Sequence, residues 1–267
     1  MNPSQLENAA SLVDDIYRTK PQPISWWSRT FPSLVFHSSW LANVVRSSAQ
    51  AKRSQYGDQE WVASSLEVLH SLERVGVQVE ASGLRYLQQL DSPCLIVGNH
   101  MSSLETTILP GLVQPLQRVT FIVKSSLLDY PFFKHVMRSR DPIAVSQTDP
   151  RADFKAMLEG GLRRIEQGIS IIIFPQGERT TTFDPAAFNK IGIKLAKRAG
   201  VPIVPLALQT DAWGIGSFIP ELGKIDPAKK VHFAFGKPIE VTGRGIEQHE
   251  EILAFISQNL KSWAADC

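Results

Sequence analysis

The chain has 267 residues, ordinary apolar and charged fractions, and a formal net charge of +2. This length allows one large α/β domain with a sizeable core, and the low charge gives no indication of a nucleic-acid partner. The two cysteines, Cys94 and Cys267, do not suggest a disulfide framework. The lack of such a framework is typical of a protein in a reducing compartment. No apolar run is long enough to predict a membrane-spanning helix, and the N-terminus lacks the layout of a signal peptide.

The first 58 residues are predicted to form amphipathic helices at a membrane interface. Residues 1–20 favour a short helix, which two prolines then interrupt. Residues 24–45 are rich in tryptophan, and the apolar side chains near one helical face of this segment are Leu34, Leu41, Val44 and Val45, widened by Phe36 and Trp40. Such a segment, followed by basic residues, suits a lipid surface. The alternative is a helix that packs its aromatic side chains onto the body of the domain.

From residue 59 onward, helix and strand patterns alternate. Helices are predicted over residues 59–74, 127–138, 153–167, 188–200 and 246–263, and a further helix starts within residues 101–110. Short apolar strands are predicted over residues 75–80, 93–97, 119–124, 142–145, 169–174, 201–208 and 231–235. This alternation is typical of an α/β fold with a mostly parallel central sheet flanked by helices. We therefore expect an N-terminal segment, residues 1–58, and an α/β domain, residues 59–267.

One of these strands ends at a histidine. Residues 93–97 break at Gly98 and Asn99, and His100 follows at the strand end, where α/β sheets usually carry their chemistry. Glu105 lies five residues further on, a spacing at which a carboxylate can fold back onto the imidazole. A carboxylate on one ring nitrogen fixes the tautomer and leaves the other nitrogen free as a base. A lone histidine in such a place is more often structural, so this pattern needs support from elsewhere in the chain.

A second strand supplies that support. Residues 169–174 are apolar, and the turn that follows carries Gln176, Gly177, Glu178 and Arg179. Two strands that both end in polar, glycine-containing turns indicate one shared site.

Three stretches now resemble a known family, the glycerolipid acyltransferases of the 1-acylglycerol-3-phosphate O-acyltransferase type. NHMSSLE, residues 99–105, resembles the motif Asn-His, four residues, Asp. FPQGERT, residues 174–180, resembles Phe-Pro-Glu-Gly-Thr-Arg-Ser, and VPIVPLAL, residues 201–208, resembles the last motif. The order and spacing fit, and the resemblance covers roughly residues 75–241.

The resemblance implies transfer of a fatty acyl group from an acyl thioester to the hydroxyl of a lysophospholipid, without an acyl-enzyme. His100 would be the general base and Glu105 its orienting partner. The residues expected to bind substrate are Arg179, which would hold the acceptor phosphate, and Gly177, Gln176, Glu178, Lys124 and Asn99. No metal or cofactor is expected, because acyl-coenzyme A or acyl-carrier protein serves as co-substrate. Some members of the family carry an N-terminal helical pair at the membrane surface, which favours the membrane interface for residues 1–58. We expect peripheral or monotopic association with the cytoplasmic face of the membrane.

The chain departs from the family pattern at several positions. Glu105 stands where the family has Asp, Gln176 where it has Glu, and Glu178 where it has Thr. The second family motif, a glycine-containing helix and a strand ending in Asp-Arg, matches poorly, and Arg140 or Arg151 could supply its missing cation.

Other classes of protein fit less well. A serine hydrolase would need a Gly-x-Ser-x-Gly elbow and a metal hydrolase clustered ligands; the sequence has neither, and Ser102 and Ser103 are explained as residues at a helix start. The remaining alternatives are a lipid-binding relative with low or no activity and an acyltransferase for another hydroxyl acceptor.

Overall fold

One eight-stranded sheet forms the centre of the molecule. A computed structural model describes residues 15–131 and 133–265. The strands are β1 (Ile16–Arg18), β2 (Val79–Ser82), β3 (Leu95–Gly98), β4 (Val119–Lys124), β5 (Ile143–Val145), β6 (Ser170–Ile173), β7 (Ile203–Gln209) and β8 (Val231–Phe235). Their order is β1-β2-β8-β7-β3-β6-β4-β5. The five strands from β7 to β5 are mutually parallel, and antiparallel pairs join β1 to β2 and β7 to β8.

Helices cover both faces of this sheet. They are α1 (Trp26–Thr30), α2 (Pro32–Lys52), α3 (Asp58–Arg74), α4 (Arg85–Gln88), α5 (Leu104–Val113), α6 (Lys134–Ser139), α7 (Pro150–Glu166), α8 (Ile191–Ala199) and α9 (Ile246–Ala265). Successive side chains of a strand point to opposite faces, so Ile96 of β3 joins the apolar core beneath α2, α3 and α5, while Leu95 and Val97 join the core beneath α7, α8 and α9. The predicted fold, a mostly parallel sheet flanked by helices, is confirmed.

Several predicted boundaries are wrong. Residues 75–80 were expected to form a strand, but Val77 donates its N–H to Leu72 O, so this stretch first closes the end of α3. Residues 127–138 were expected to form one helix, but a 3₁₀ turn at Ser125–Leu128 precedes α6, and Pro131 between them cannot donate a helical hydrogen bond. The helix expected from residue 188 begins at Ile191.

The short helix predicted over residues 1–20 is also wrong where the structure describes it. Residues 1–14 lie outside the described part, and Ile16–Arg18 forms the strand β1 against β2.

Helix α2 has one buried and one exposed apolar face. Phe36, Trp40 and Val44 are at most 6% exposed and belong to the same core as α3. Leu34, Leu41 and Val45 are 50–69% exposed, so the expected grouping of Val44 with them is wrong. The alternative, a helix that packs its aromatic side chains onto the body of the domain, therefore holds only for the face that carries Phe36, Trp40 and Val44. Among the residues that the structure describes, no helix has the length and apolarity needed to cross a membrane.

Candidate active site

The carboxyl ends of β3, β4, β6 and β7 meet at one edge of the sheet, because these strands are parallel. The turn after β3 carries His100, and the turn after β6 carries Arg179. Both predicted polar turns therefore lie at one edge, as expected from the sequence.

Glu105 folds back onto His100. Its Oε1 lies 2.8 Å from Nδ1 of the imidazole, and Glu105 is fully buried while the side chain of His100 is 17% exposed. Helix α5 begins at Leu104, so Glu105 stands in the first turn of a helix, where the dipole favours negative charge. The helix start brings the carboxylate under the imidazole, as the spacing predicted.

Four further donors hold the Glu105 carboxylate. Oε1 accepts the backbone N–H groups of Met101 at 2.6 Å and Ser102 at 2.8 Å. Oε2 accepts the hydroxyls of Ser102 at 3.0 Å and Thr210 at 2.7 Å. Burial opposes ionisation of Glu105. The hydrogen bond and charge of His100, together with the hydrogen bonds from Thr210 and Ser102, outweigh this effect and lower the pKa of the Glu105 carboxyl.

The ionised Glu105 determines the tautomer of His100. A carboxylate only accepts hydrogen bonds, so Nδ1 of His100 carries the proton and donates it. Within the described residues, no hydrogen-bond partner approaches Nε2, and the ring lies on the wall of a cavity. Nε2 of the neutral imidazole is therefore available as a base.

The turn after β6 positions His100 from the other side. Phe174 stacks on the imidazole with ring centres 4.5 Å apart and planes 7° from parallel. Gln176 accepts the backbone N–H of His100 at 2.8 Å and donates to Thr180 at 2.8 Å, and the N–H of Thr180 returns to His100 O at 2.9 Å. Gln176, which was expected to bind substrate, is committed to joining these two turns.

Arg179 lies beside the same helix start. Its guanidinium donates to Ser103 Oγ, and its Nη2 lies 3.7 Å from Glu221 Oε1. The side chain of Arg179 is one quarter exposed and lines the cavity with His100 and Ser103. The acidic partner of Arg179 is Glu221, which follows β7 in the chain, and not its sequence neighbour Glu178.

The other residues expected to bind substrate occupy different positions. Lys124, Gly177 and Glu178 are exposed and line the cavity mouth. Gly177 has φ +79°, a conformation that favours glycine. Asn99 is 1% exposed, and its amide donates to Leu208 O at 2.8 Å and accepts from Leu208 N at 2.9 Å. Asn99 thus pairs with β7 and fixes the strand end from which His100 emerges.

Of the two candidate cations of the poorly matching second motif, Arg140 lines the same cavity as His100 and Arg179, and Arg151 does not. Arg140 binds Asp58 at 2.8 Å and lies over the rings of Tyr56 and Trp61. Arg151 is exposed in the first turn of α7.

A cavity of about 720 Å³ opens at this edge. Its lining includes His100, Ser103, Lys124 and Arg179 together with apolar side chains such as Val44, Val68, Val123, Val136 and Met157. A chain of ring contacts runs along it from His100 through Phe174 and Phe121 to Trp61. The cavity therefore joins a catalytic-type histidine to an elongated apolar space under α2 and α3.

Three residues of the site were missed by sequence reasoning. Ser102 bonds Leu104 N at the helix start, as expected, but it also bonds Glu105. Thr210 and Glu221 come from the chain after β7. The only sequence signal for Thr210 was its place two residues after a predicted strand, and Glu221 had none.

Comparison with known proteins gives consistent matches. Residues 78–209 match the family model described as Acyltransferase. The 1-acyl-sn-glycerol-3-phosphate acyltransferase of Pseudomonas aeruginosa is 27% identical over 191 residues, covering 72% of this chain and 69% of that protein. The human 1-acyl-sn-glycerol-3-phosphate acyltransferase beta is 30% identical over 132 residues, covering 49% of this chain and 46% of that protein.

A solved structure matches the fold. The crystal structure of the 1-acyl-sn-glycerophosphate acyltransferase PlsC from Thermotoga maritima superposes with a TM-score of 0.68 at 17% identity. The match covers 89% of this chain and 96% of that one. It supports the mixed α/β architecture with the central, mostly parallel sheet.

Proposed function

The chain belongs to the acyltransferase family and is an O-acyltransferase, and we propose that it moves a fatty acyl group from an acyl thioester to the free hydroxyl of a 1-acylglycerol-3-phosphate. The observation that carries this proposal is the hydrogen bond between the buried carboxylate of Glu105 and Nδ1 of His100. His100 and Arg179 both line one mainly apolar cavity. The names of the relatives support the choice of acceptor.

His100 acts as the general base. A hydroxyl is a weak nucleophile at neutral pH, and a positioned base contributes about 10²–10⁴-fold to its attack. As the acceptor oxygen bonds to the thioester carbonyl carbon, its proton passes to Nε2, and Glu105 stabilises the imidazolium that forms. The tetrahedral intermediate collapses by breaking the carbon–sulfur bond, and the leaving thiolate takes the proton from Nε2. The acceptor attacks the thioester directly, and the enzyme forms no covalent bond to the acyl group.

Arg179 holds the phosphate of the acceptor. A planar guanidinium can donate two parallel hydrogen bonds to a phosphate, and Lys124 at the same mouth adds positive charge. Ser103 keeps the guanidinium beside the helix that carries Glu105. The phosphate would thus be fixed relative to the base, which places the acceptor hydroxyl.

The apolar cavity takes the acyl chain of the donor. Its lining is mainly apolar, and His100 and Arg179 lie in the same lining, as suits a ligand with a long hydrocarbon tail and one reactive group. The thiol carrier, coenzyme A or acyl-carrier protein, remains outside, and the reaction needs no resident metal or cofactor.

The substrates place the enzyme at a membrane surface. Trp26 and Trp27 of α1 are 64% and 63% exposed, and Leu34 of α2 is 69% exposed. Aromatic and apolar side chains displayed this way suit the headgroup region. We propose peripheral association at the cytoplasmic face, where acyl thioester donors are available.

The test is thiol release from acyl-coenzyme A, measured with and without 1-acylglycerol-3-phosphate. The wild type should release thiol only when the acceptor is present, with the acylated product detected in equal amount. His100→Ala should lose at least about 10²-fold in rate, while His70→Ala on α3 serves as the matched control and keeps its activity.

Two results would contradict the proposal. Equal rates in the wild type and His100→Ala would remove the histidine from the chemistry. No transfer from coenzyme A or acyl-carrier-protein donors to any lysophospholipid would instead favour a lipid-binding relative without activity.

A further inference from the structure

The loop between β7 and β8, residues 213–224, displays apolar side chains to solvent; we call it the β7–β8 loop. Phe218 at its tip is 100% exposed, and Ile215, Ile219 and Leu222 are 47%, 47% and 49% exposed. Its only acidic residue, Glu221, has its carboxylate at Arg179. The outer surface of the loop is therefore apolar.

The backbone of this loop is internally bonded. Gly214 N donates to Lys224 O at 2.9 Å, and Gly216 N donates to Pro220 O at 3.1 Å. Gly223 packs so closely that a Cβ there would stand 1.7 Å from Gly214 O. These hydrogen bonds and the close packing give the loop a defined conformation, in which Phe218 at the tip points outward.

The loop lies at the catalytic edge and is bonded to the start of α2. It follows the carboxyl end of β7, and Ile215 and Glu221 line the cavity mouth. His37 of α2 bonds Gly223 O at 2.8 Å, and Ser33 accepts Ile225 N at 2.9 Å. These bonds join the loop to the helix start that follows the exposed Trp26 and Trp27.

The charges around this face select the partner. Arg29 of α1 and Lys224 at the loop end are exposed. Two nearby carboxylates are in ion pairs, Glu221 with Arg179 and Asp211 with Lys229, and that of Asp226 accepts the backbone N–H of Ala228. Apolar side chains with cations beside them match an anionic bilayer, in which tails take the apolar groups and headgroups take the charges.

We propose that the β7–β8 loop is a second lipid-contacting element, which inserts Phe218 into an anionic bilayer beside α1 and so turns the cavity mouth toward the membrane. The inference rests on the proposed function in one respect, because it takes the acceptor to be a lipid of that bilayer. It adds a contact more than 180 residues along the chain from α1.

The first experiment measures binding to sedimented vesicles made of equal parts phosphatidylcholine and phosphatidylglycerol. Phe218→Ser should lower the partition coefficient at least about tenfold, because a buried phenyl group is lost from the bilayer. The matched control is Ile16→Ser, which removes an exposed apolar side chain from β1, separated from β7 by β2 and β8. Vesicles of phosphatidylcholine alone should bind the wild type more weakly. Equal binding of wild type, Phe218→Ser and Ile16→Ser would overturn the inference.

The second experiment separates docking from chemistry. With a short-chain acceptor that stays monomeric in water, Phe218→Ser should keep the wild-type rate, and with the acceptor embedded in vesicles it should fall in parallel with binding. If the wild type binds through Phe218 but transfers no acyl group, the proposed function fails and the lipid contact stands. If sedimentation shows instead a dimer of the wild type that Phe218→Ser abolishes, with vesicle binding unchanged, the loop is an interface between two copies and the inference is wrong.

Discussion

Glu105 reaches Nδ1 of His100 at 2.8 Å, although the motif that this chain resembles has the shorter Asp at that position. The extra methylene is accommodated because the carboxylate sits at the start of α5, where the backbone N–H groups of Met101 and Ser102 also point at Oε1. Thr210 completes the arrangement by donating to Oε2 at 2.7 Å. The site is therefore built for the longer side chain.

The first prediction concerns the length and charge of residue 105. Glu105→Asp should lower kcat by about 10²-fold, because a displacement near 1 Å in the His100 contact costs that much. Glu105→Gln should lower kcat by about 10²–10⁴-fold, since the neutral amide does not stabilise the imidazolium that forms. Steady-state rates of both variants check this, with Glu159→Gln on the exposed side of α7 as control. Wild-type activity in Glu105→Asp would show that the site adapts to either carboxylate.

The second prediction concerns the pH dependence of stability. The pKa of Glu105 in the folded protein lies below its ordinary value of 4.5. A carboxylate with a lowered folded pKa stabilises the fold above the unfolded pKa, and this stabilisation is lost as the pH falls through the folded pKa. The difference in free energy of unfolding between wild type and Glu105→Gln should therefore be largest near neutral pH and shrink below 4.5. Urea denaturation across this range measures it, and a difference that grows on acidification would contradict the lowered pKa.

Local sequence patterns predicted correctly those elements whose packing in the fold matches the pattern. The strand β4, Val119–Lys124, has the bounds expected from its apolar run, because both its faces are packed and no turn signal interrupts it. Residues 75–80 alternate like a strand, yet Val75 and Val77 are buried at the end of α3. Alternation reports burial of every second residue, and a helix end that packs on the core satisfies it too.

The histidine and its carboxylate could be predicted because five residues separate them. Their supporting groups could not, since Thr210 and Glu221 reach the site only after β7 pairs with β3. Asn99 was expected at the substrate because it precedes His100 in the motif, and only the sheet order places its amide on Leu208.

The third prediction concerns the phosphate site. Arg179→Lys should raise the KM for 1-acylglycerol-3-phosphate roughly 10- to 100-fold, because charge-assisted hydrogen bonds contribute about 1.5–3 kcal/mol. It should leave the KM for an uncharged monoacylglycerol acceptor unchanged. Arg163→Lys on the exposed face of α7 is the control. Equal effects on both acceptors would show that Arg179 supports the fold around Ser103 and does not read the phosphate.

The fourth prediction concerns Glu221, whose carboxylate lies 3.7 Å from the Arg179 guanidinium. A phosphate that binds Arg179 competes with this carboxylate. Glu221→Gln should therefore lower the KM for the phosphate-bearing acceptor roughly two- to fivefold, in line with a partly exposed ion pair, with kcat unchanged. The same variant combined with Arg179→Lys should show a smaller effect. A raised KM in Glu221→Gln would mean that the carboxylate orients Arg179 for the phosphate.

The last prediction concerns the length of the acyl chain. Val68 of α3 is 4% exposed and lies in the wall of the cavity. Val68→Phe extends a ring into that space and should shorten the longest acyl chain that is transferred, while rates with short chains stay near those of the wild type. Val62→Phe makes the same change on the same helix at a residue that does not line the cavity, so it controls for overpacking of α3. Competition among acyl-coenzyme A donors of increasing length measures the preference, and thermal unfolding of both variants measures the cost to the fold. An unchanged chain-length profile in a folded Val68→Phe would place the acyl chain outside this cavity.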